Sequence, residues 1–354
     1  MTGNDSPIIR VTAEDLAEVE NAAVSTPPVA QVDATSGVRS YGNINSSFAE
    51  TAPARSEERP SLLLQGWFYL GAAGLVGAIS GWGICERGFI DSEKSHSWGN
   101  VWLLPMVTMM MLIAFALAES LVERSLKKAV KRLLVVIPLG IVCGFVFDGA
   151  ANIIYEVGLS VIVAAGVRTT RNPAWWITRA FAWAVFGVAA GLIYGFVGKS
   201  SKKAKYGVIG GAVGAFLGGL AFDPIALLVD QGAQSRAFGL GLLGVAAGAA
   251  MGFVESALKD RWIYVSGGPL AGKQFILYKA STTIGSDQGS DIYLFKDPNI
   301  APLHATIELR GTQATLHAQA PIFISGVPTQ NRVLLSGDII QIGRYVFKYN
   351  ERHR

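Results

Sequence analysis

Between residues 62 and 258 the chain is almost continuously apolar and glycine-rich, and nothing else in the sequence restricts its fold so strongly. One crossing of a bilayer core takes roughly 20 mostly apolar residues. Six stretches reach that length: residues 62–84, 101–122, 132–154, 177–198, 206–228 and 236–257. A further apolar piece, residues 158–167, is too short to cross, and is expected to lie in the interface or to re-enter. The composition agrees, with 51% hydrophobic residues, 16% charged residues and 41 glycines. The reading is an α-helical transmembrane bundle of about six helices over residues 61–258. It is flanked by a disordered cytosolic tail (1–60) and an all-β sandwich domain (260–354).

Internal repeats support six spans. Arg179, Gly187, Gly191 and Gly195 recur as Arg236, Gly244, Gly248 and Gly252, always 57 residues later. Gly74, Gly77 and Gly81 recur 137 residues on as Gly211, Gly214 and Gly218. Gly144 and Phe147-Asp148 match Gly219 and Phe222-Asp223. Three tandem helical hairpins account for these offsets.

Charge sets the expected orientation. The loops joining helices two to three and four to five carry nine bases, from Arg124 to Arg132 and from Lys199 to Lys205. The opposite side carries six, among them Arg87, Arg168 and Arg236. Short basic loops face the cytoplasm, so both termini are placed there. The first residues lack the basic-then-apolar order of a secretory signal, so the first span is expected to target the chain. Cys85 and Cys143 both lie in apolar stretches, which does not suggest an extracellular disulfide framework.

The tail, rich in Ser, Thr, Pro and acids, holds too little apolar surface to offset ordering entropy. A short helix over residues 13–23 and a Thr26-Pro27 phosphorylation motif are its only local features. Within the spans, glycines four residues apart place small residues on one helix face, where backbones approach closely and copies could associate. Ionisable groups inside a membrane are the usual mark of a conduit. Glu119, Asp148, Glu156, Asp223 and Asp230 are the candidates, and most fall at span ends, where a carboxylate reaches water.

From Arg261 the period changes to short alternating runs such as RWIYVSGG, HATIELRG and DIIQIG, with Arg310-Gly311 read as a hairpin turn. Seven or more short strands in this length predict a β-sandwich. The order of motifs is informative: Thr283-Ile284-Gly285-Ser286, then Asp291-Ile292-Tyr293-Leu294, then Pro302-Leu303-His304-Ala305, and finally Leu334 through Gly343 with Gly337-Asp338 inside. Residues 262–349 resemble the forkhead-associated (FHA) family, and the likeness extends to bacterial-type FHA membrane proteins.

The resemblance implies a protein-interaction module, and in the family the ligand is a phosphothreonine peptide. A phosphate carrying nearly two charges is held by charge-assisted forks and neutral donors. At the family's ligand positions this chain has Ser286, Ala301, Pro302 and, more loosely aligned, Ala320. His304, which buttresses the loops in the family, is kept. The expectation is a degenerate phosphothreonine site on a kept scaffold. The partners implied are a cytosolic protein, which could be a phosphoprotein, and the lipid bilayer. No nucleic acid, metal, cofactor or catalytic set is expected, and no histidine pair has ligand spacing. The location implied is a bacterial inner or plasma membrane. The competing reading is a small channel or transporter regulated by the sandwich.

Overall fold

The computed structural model describes residues 62–90, 97–169, 171–227 and 232–352. The tail, with Thr26 and the expected helix at 13–23, lies outside the described residues, as does Asp230. Bundle and sandwich belong to a single unit, Arg59–Arg354.

Six helices are long and apolar enough to cross a membrane: α1 (Gly66–Glu86), α2 (Trp98–Val122), α3 (Leu126–Ala164), α4 (Pro173–Val197), α5 (Ser201–Ala226) and α6 (Ala233–Ala257). Several start before the apolar run because a cap starts them. Ser125 and Ser200 accept from the backbone N–H of Lys128 and Lys203, and Asn172 accepts from Ala174 just ahead of Pro173. This corrects the expected loops. Lys127, Lys128, Lys131 and Arg132 occupy the first two turns of α3, and only Glu123, Arg124 and Ser125 link it to α2. Arg124 and Lys199 are left-handed (φ 52° for each) and close α2 and α4 with the same backbone pattern.

The second correction concerns residues 158–167. They form no separate interfacial or re-entrant piece, because α3 runs unbroken for 39 residues to Ala164. Gly158 breaks nothing, since it lies where a side chain would meet Thr178 of α4. The turn comes only at Gly166, in the left-handed region (φ 85°).

Each helix packs on its chain neighbours, and α6 closes back on α1, so the six make a ring. Glycines set its closest approaches. A Cβ on Gly187 would run into the carbonyl of Gly211, and one on Gly244 into that of Gly74. The glycine faces around Gly187 and Gly214 thus make contacts within the chain, whereas a side chain at Gly83 or Gly149 would meet nothing. The ring axis is lined by Leu104, Val107, Met111, Phe186 and Leu243, with a cavity of about 10 Å³.

Beyond Ala257 the chain turns within three residues into β1 (Arg261–Gly267). The other strands are β2 (Gln274–Ile276), β3 (Ser281–Gly285), β4 (Ile292–Tyr293), β5 (Ala305–Arg310), β6 (Gln313–Ile324), β7 (Val327–Val333), β8 (Ile339–Ile342) and β9 (Tyr345–Glu351). Their order is β2-β1-β9-β8-β6-β5-β3-β4, with β7 pairing β6. The alternation seen in the sequence places Ile307, Leu316, Ile324, Ile340 and Phe347 inside. Each large apolar side chain buried this way contributes about 1.5–3 kcal/mol. The β5–β6 turn is centred on Gly311 and Thr312, one residue beyond the expected pair, because Gly311 supplies the left-handed conformation (φ 57°). The second half of β6 and β7 were not foreseen, although Ser325-Gly326, both left-handed, is an ordinary hairpin signal.

Candidate functional site

The five positions that the sequence singled out lie together where the β3–β4 and β4–β5 loops meet β6, with Ser286 N–H donating to the Ala301 carbonyl. His304 is 2% exposed. Its Nδ1 accepts from the Ala301 N–H at 3.2 Å, and its Nε2 lies 3.1 Å from the Pro321 carbonyl. The tautomer that serves both contacts carries its proton on Nε2. The His304 backbone extends the buttress. Its N–H donates to Ile284, and its carbonyl accepts from Gln319 and Ala320. One residue thus ties the β3, β4–β5 and β6 segments together. Ser286 does not point its donor outward, because its hydroxyl donates to the Ile300 carbonyl at 2.8 Å. Pro302 is exposed, and its carbonyl accepts from the Asp287 N–H and from Ser290 Oγ.

Two carboxylates stiffen the flanking loops. Asp291 accepts from the backbone N–H and hydroxyl of Thr283 and pairs with Lys279. Burial alone would raise its pKa, but Lys279 and these donors hold it below the usual carboxylate range. The N–H groups of Arg344 and Asn299 keep Asp297 low in the same way.

A second cluster, unforeseen as a unit, joins the sandwich to the bundle. Lys273, 5% exposed, donates to the Val122 carbonyl at 3.1 Å, and so satisfies an orphan acceptor at the end of α2. Arg352 does the same for α6, through Ala257 at 2.6 Å. Cations at these C-terminal ends also complement the helix dipole. Burial pushes the Lys273 ammonium down to about 8. From the other side, α3 reaches up. Ser125 Oγ donates to the Gln288 carbonyl (3.0 Å), Lys128 to the Asp291 carbonyl (2.9 Å), and Lys127 pairs with Asp287 (3.3 Å).

Beneath this junction lies a buried polar layer. Glu255 accepts from Tyr278 of the sandwich at 2.6 Å and from Tyr194 at 3.1 Å. Glu119 pairs with Lys203 and, at 3.6 Å, with Arg132, which also holds Glu123 at 2.9 Å. Burial would raise the Glu123 carboxyl, but Arg132 and Lys128 keep it low. The expectation that the acids mostly reach water at span ends fails for Glu119, which is 8% exposed. It sits near the end of α2, but the sandwich and α5 cover that end. Glu156 is exposed, whereas Asp148 and Asp223 are partly covered.

Residues 265–353 match the family model described as the inner membrane component of T3SS, cytoplasmic domain. The strand order, the His304 buttress and the ordered motifs fall within the same residues. The C-terminal domain is of the forkhead-associated type. Among curated proteins, the glycogen accumulation regulator GarA of Mycolicibacterium smegmatis is similar at 30% identity over 86 residues. The match covers 23% of this chain and 54% of that one, so the chain spans about half the length of this relative. Among solved structures, the FHA domain of the CT664 protein from Chlamydia trachomatis is 20% identical, covering 27% of this chain and all of that one, with a TM-score of 0.25. A structure from a study of phosphothreonine-dependent FHA domain interactions is 21% identical over 27% of this chain and 100% of its own, also at 0.25. Both cover about a quarter of this chain.

The FHA domain therefore presents two adjoining regions of different character, joined at Asp287, which pairs with Lys127 of the bundle and donates its N–H to the Pro302 carbonyl. Its loop end was legible as a set of motifs, because scaffold residues such as Gly285, His304 and Gly337-Asp338 have fixed spacings. The junction carried no such signal, since its partners are far apart in sequence. Ser125 and Gln288 are separated by 163 residues. The local hint was the unusually short link after α6, together with cations at the helix starts.

Proposed function

We propose that the chain is an integral membrane protein that holds an FHA interaction module directly against the bundle at the cytoplasmic surface. There it engages a protein partner without the family's usual phosphothreonine contacts. The observation that carries this reading is the chemistry of the loop end. The Ser286 hydroxyl is committed to Ile300, and Ala301, Pro302 and Ala320 offer no side-chain donor. A phosphate left without a charge-assisted donor would lose hydration it could not recover. The cytoplasmic placement is supported by the basic helix starts on the sandwich side and by the description of the matching family.

We read the bundle as three hairpins of common origin serving as a scaffold. The contacts that recur at the repeat offsets favour this, notably Gly187 with Gly211 and Gly244 with Gly74. The channel reading is less well supported. The axial cavity of about 10 Å³ is apolar and has room for at most one water. No catalytic role is proposed.

The test is a titration of the full chain in nanodiscs with matched phosphothreonine and unphosphorylated peptide libraries, one of them spanning Thr26. Equal affinities, or no binding, are expected. A preference of tenfold or more for the phosphorylated form would overturn the reading of Ser286, Ala301 and Pro302.

A further inference from the structure

The three repeated corners of the ring are not fastened alike. Between α4 and α5, the Arg179 guanidinium lies 3.2 Å from Asp223 and over the Phe222 ring at 4.8 Å. Between α6 and α1, Arg236 holds Glu86 through two contacts, 3.1 and 2.5 Å, and lies over Phe89 at 3.9 Å. The two clamps occupy equivalent positions. Arg236 follows Arg179 by 57 residues, and Asp223 follows Glu86 by 137.

The third corner, between α2 and α3, keeps the carboxylate but lacks the cation. Its closest contact, Gly144 against Pro105, is the counterpart of Gly219 against Ala180, which places it in register with the α4–α5 corner. In that register Asp148 stands for Asp223 and Phe147 for Phe222, but Leu104 stands where the arginine should be. Among the described residues Asp148 takes part in no ion pair, and its side-chain partner is Asn152.

The sandwich, which also meets the ends of α2 and α6, grips the start of the helix at this open corner. Ser125, Lys127 and Lys128, all at the start of α3, bind the β3–β4 loop at Gln288, Asp287 and Asp291. Nearly three turns beyond Lys128, Pro138 removes one helical hydrogen bond and gives α3 a point at which to bend. At 39 residues α3 is about 58 Å long, far more than the roughly 30 Å of a bilayer core. Its far end reaches α4, where Tyr155 meets Arg179 at 3.4 Å.

We propose that α3 is a lever. Gripped by the sandwich at one end, where Arg132 also pairs it with Glu119 of α2 and with Glu123 just past that helix, and unclamped from α2 beyond that end, it carries displacements of the FHA domain to the opposite side of the bundle. The two clamped corners form the fixed frame against which it moves. This inference needs no particular partner at the loop end, and it holds whether or not that end binds phosphate.

The test uses spin-label distances in the full chain in nanodiscs, with Cys85 and Cys143 replaced by alanine. One label pair, Val101→Cys with Val146→Cys, spans the open corner from exposed positions. A second pair, Phe181→Cys with Leu217→Cys, spans a clamped corner. The open-corner distribution should be about twice as broad as the clamped one. Leu104→Arg, which restores the missing clamp, should narrow it to the clamped width, and Lys128→Glu should shift its mean. Should Lys128→Glu fail to fold, Asp287→Lys loosens the same grip from the sandwich side. Equal widths at the two corners in the parent would overturn the lever. So would an open-corner distribution that neither Leu104→Arg nor the loosened grip alters.

Discussion

The bundle and the FHA domain are held together by opposite means. In the bundle the closest contacts are backbone to backbone, with Gly187 against Gly211 and Gly248 against the Leu70 carbonyl, while large side chains such as Leu134, Val146 and Phe253 face outward. In the domain, Ile307, Leu316, Tyr345 and Phe347 are turned fully inward. Solvent explains the difference. In lipid, burying an apolar side chain gains little over leaving it in hydrocarbon, so close packing of small residues holds the helices. In water, burial of large side chains supplies most of the stability. The two regions should therefore fail in opposite ways when side chains change size.

The largest expected effect comes from adding bulk where the bundle has none. Gly244→Val would drive methyl groups into the Gly74 carbonyl. The protein should lose its single, symmetric size-exclusion peak in detergent, and survival of that peak would break the comparison. Removing bulk should be as harmful in the domain as adding it is in the bundle. Leu316→Ala empties part of a fully buried site and should cost about 2–5 kcal/mol, measured as an earlier unfolding of the β signal with the helices retained.

The junction sharpens the comparison, because water and bilayer chemistry meet there. Lys273 titrates near 8 in the folded protein, whereas an unfolded lysine holds its proton to about 10.4. Between those values the unfolded chain binds more protons, so stability should rise with pH across that window. The rise should be on the order of 2 kcal/mol and absent in Lys273→Met, as read from thermal unfolding in detergent at pH 8 and pH 10. The smallest effect is expected at Gly149, where a side chain would meet nothing. Gly149→Ala should stabilise α3 by up to about 1 kcal/mol, in contrast to Gly244→Val on the same type of helix.

Much of this architecture was open to sequence reasoning, and the reasons differ by region. The six helices followed from apolar length, although their starts did not. Ser125 and Ser200 begin α3 and α5 while the sequence is still basic, so the charged turns read as loops. The length of α3 was missed because apolar length set the span at 132–154, whereas the helix continues to Ala164 with Gly158 packed against Thr178. In the FHA domain, motif spacing singled out Ser286, Ala301, Pro302 and His304, which the fold brings together. It could not tell that the Ser286 hydroxyl turns inward.

By itself, then, the sequence determined the order of regions, the number of apolar helices, the repeat offsets and the scaffold of the C-terminal domain. These depend on local composition, on periodicity and on residues near one another in the chain. Only the tertiary structure decided which helix ends the domain caps, that Glu255 and Tyr278 meet, and that one corner of the ring lacks its arginine clamp. Those outcomes depend on groups brought together across as many as 163 residues. Their energies arise from burial and pairing that exist only once the chain has closed on itself.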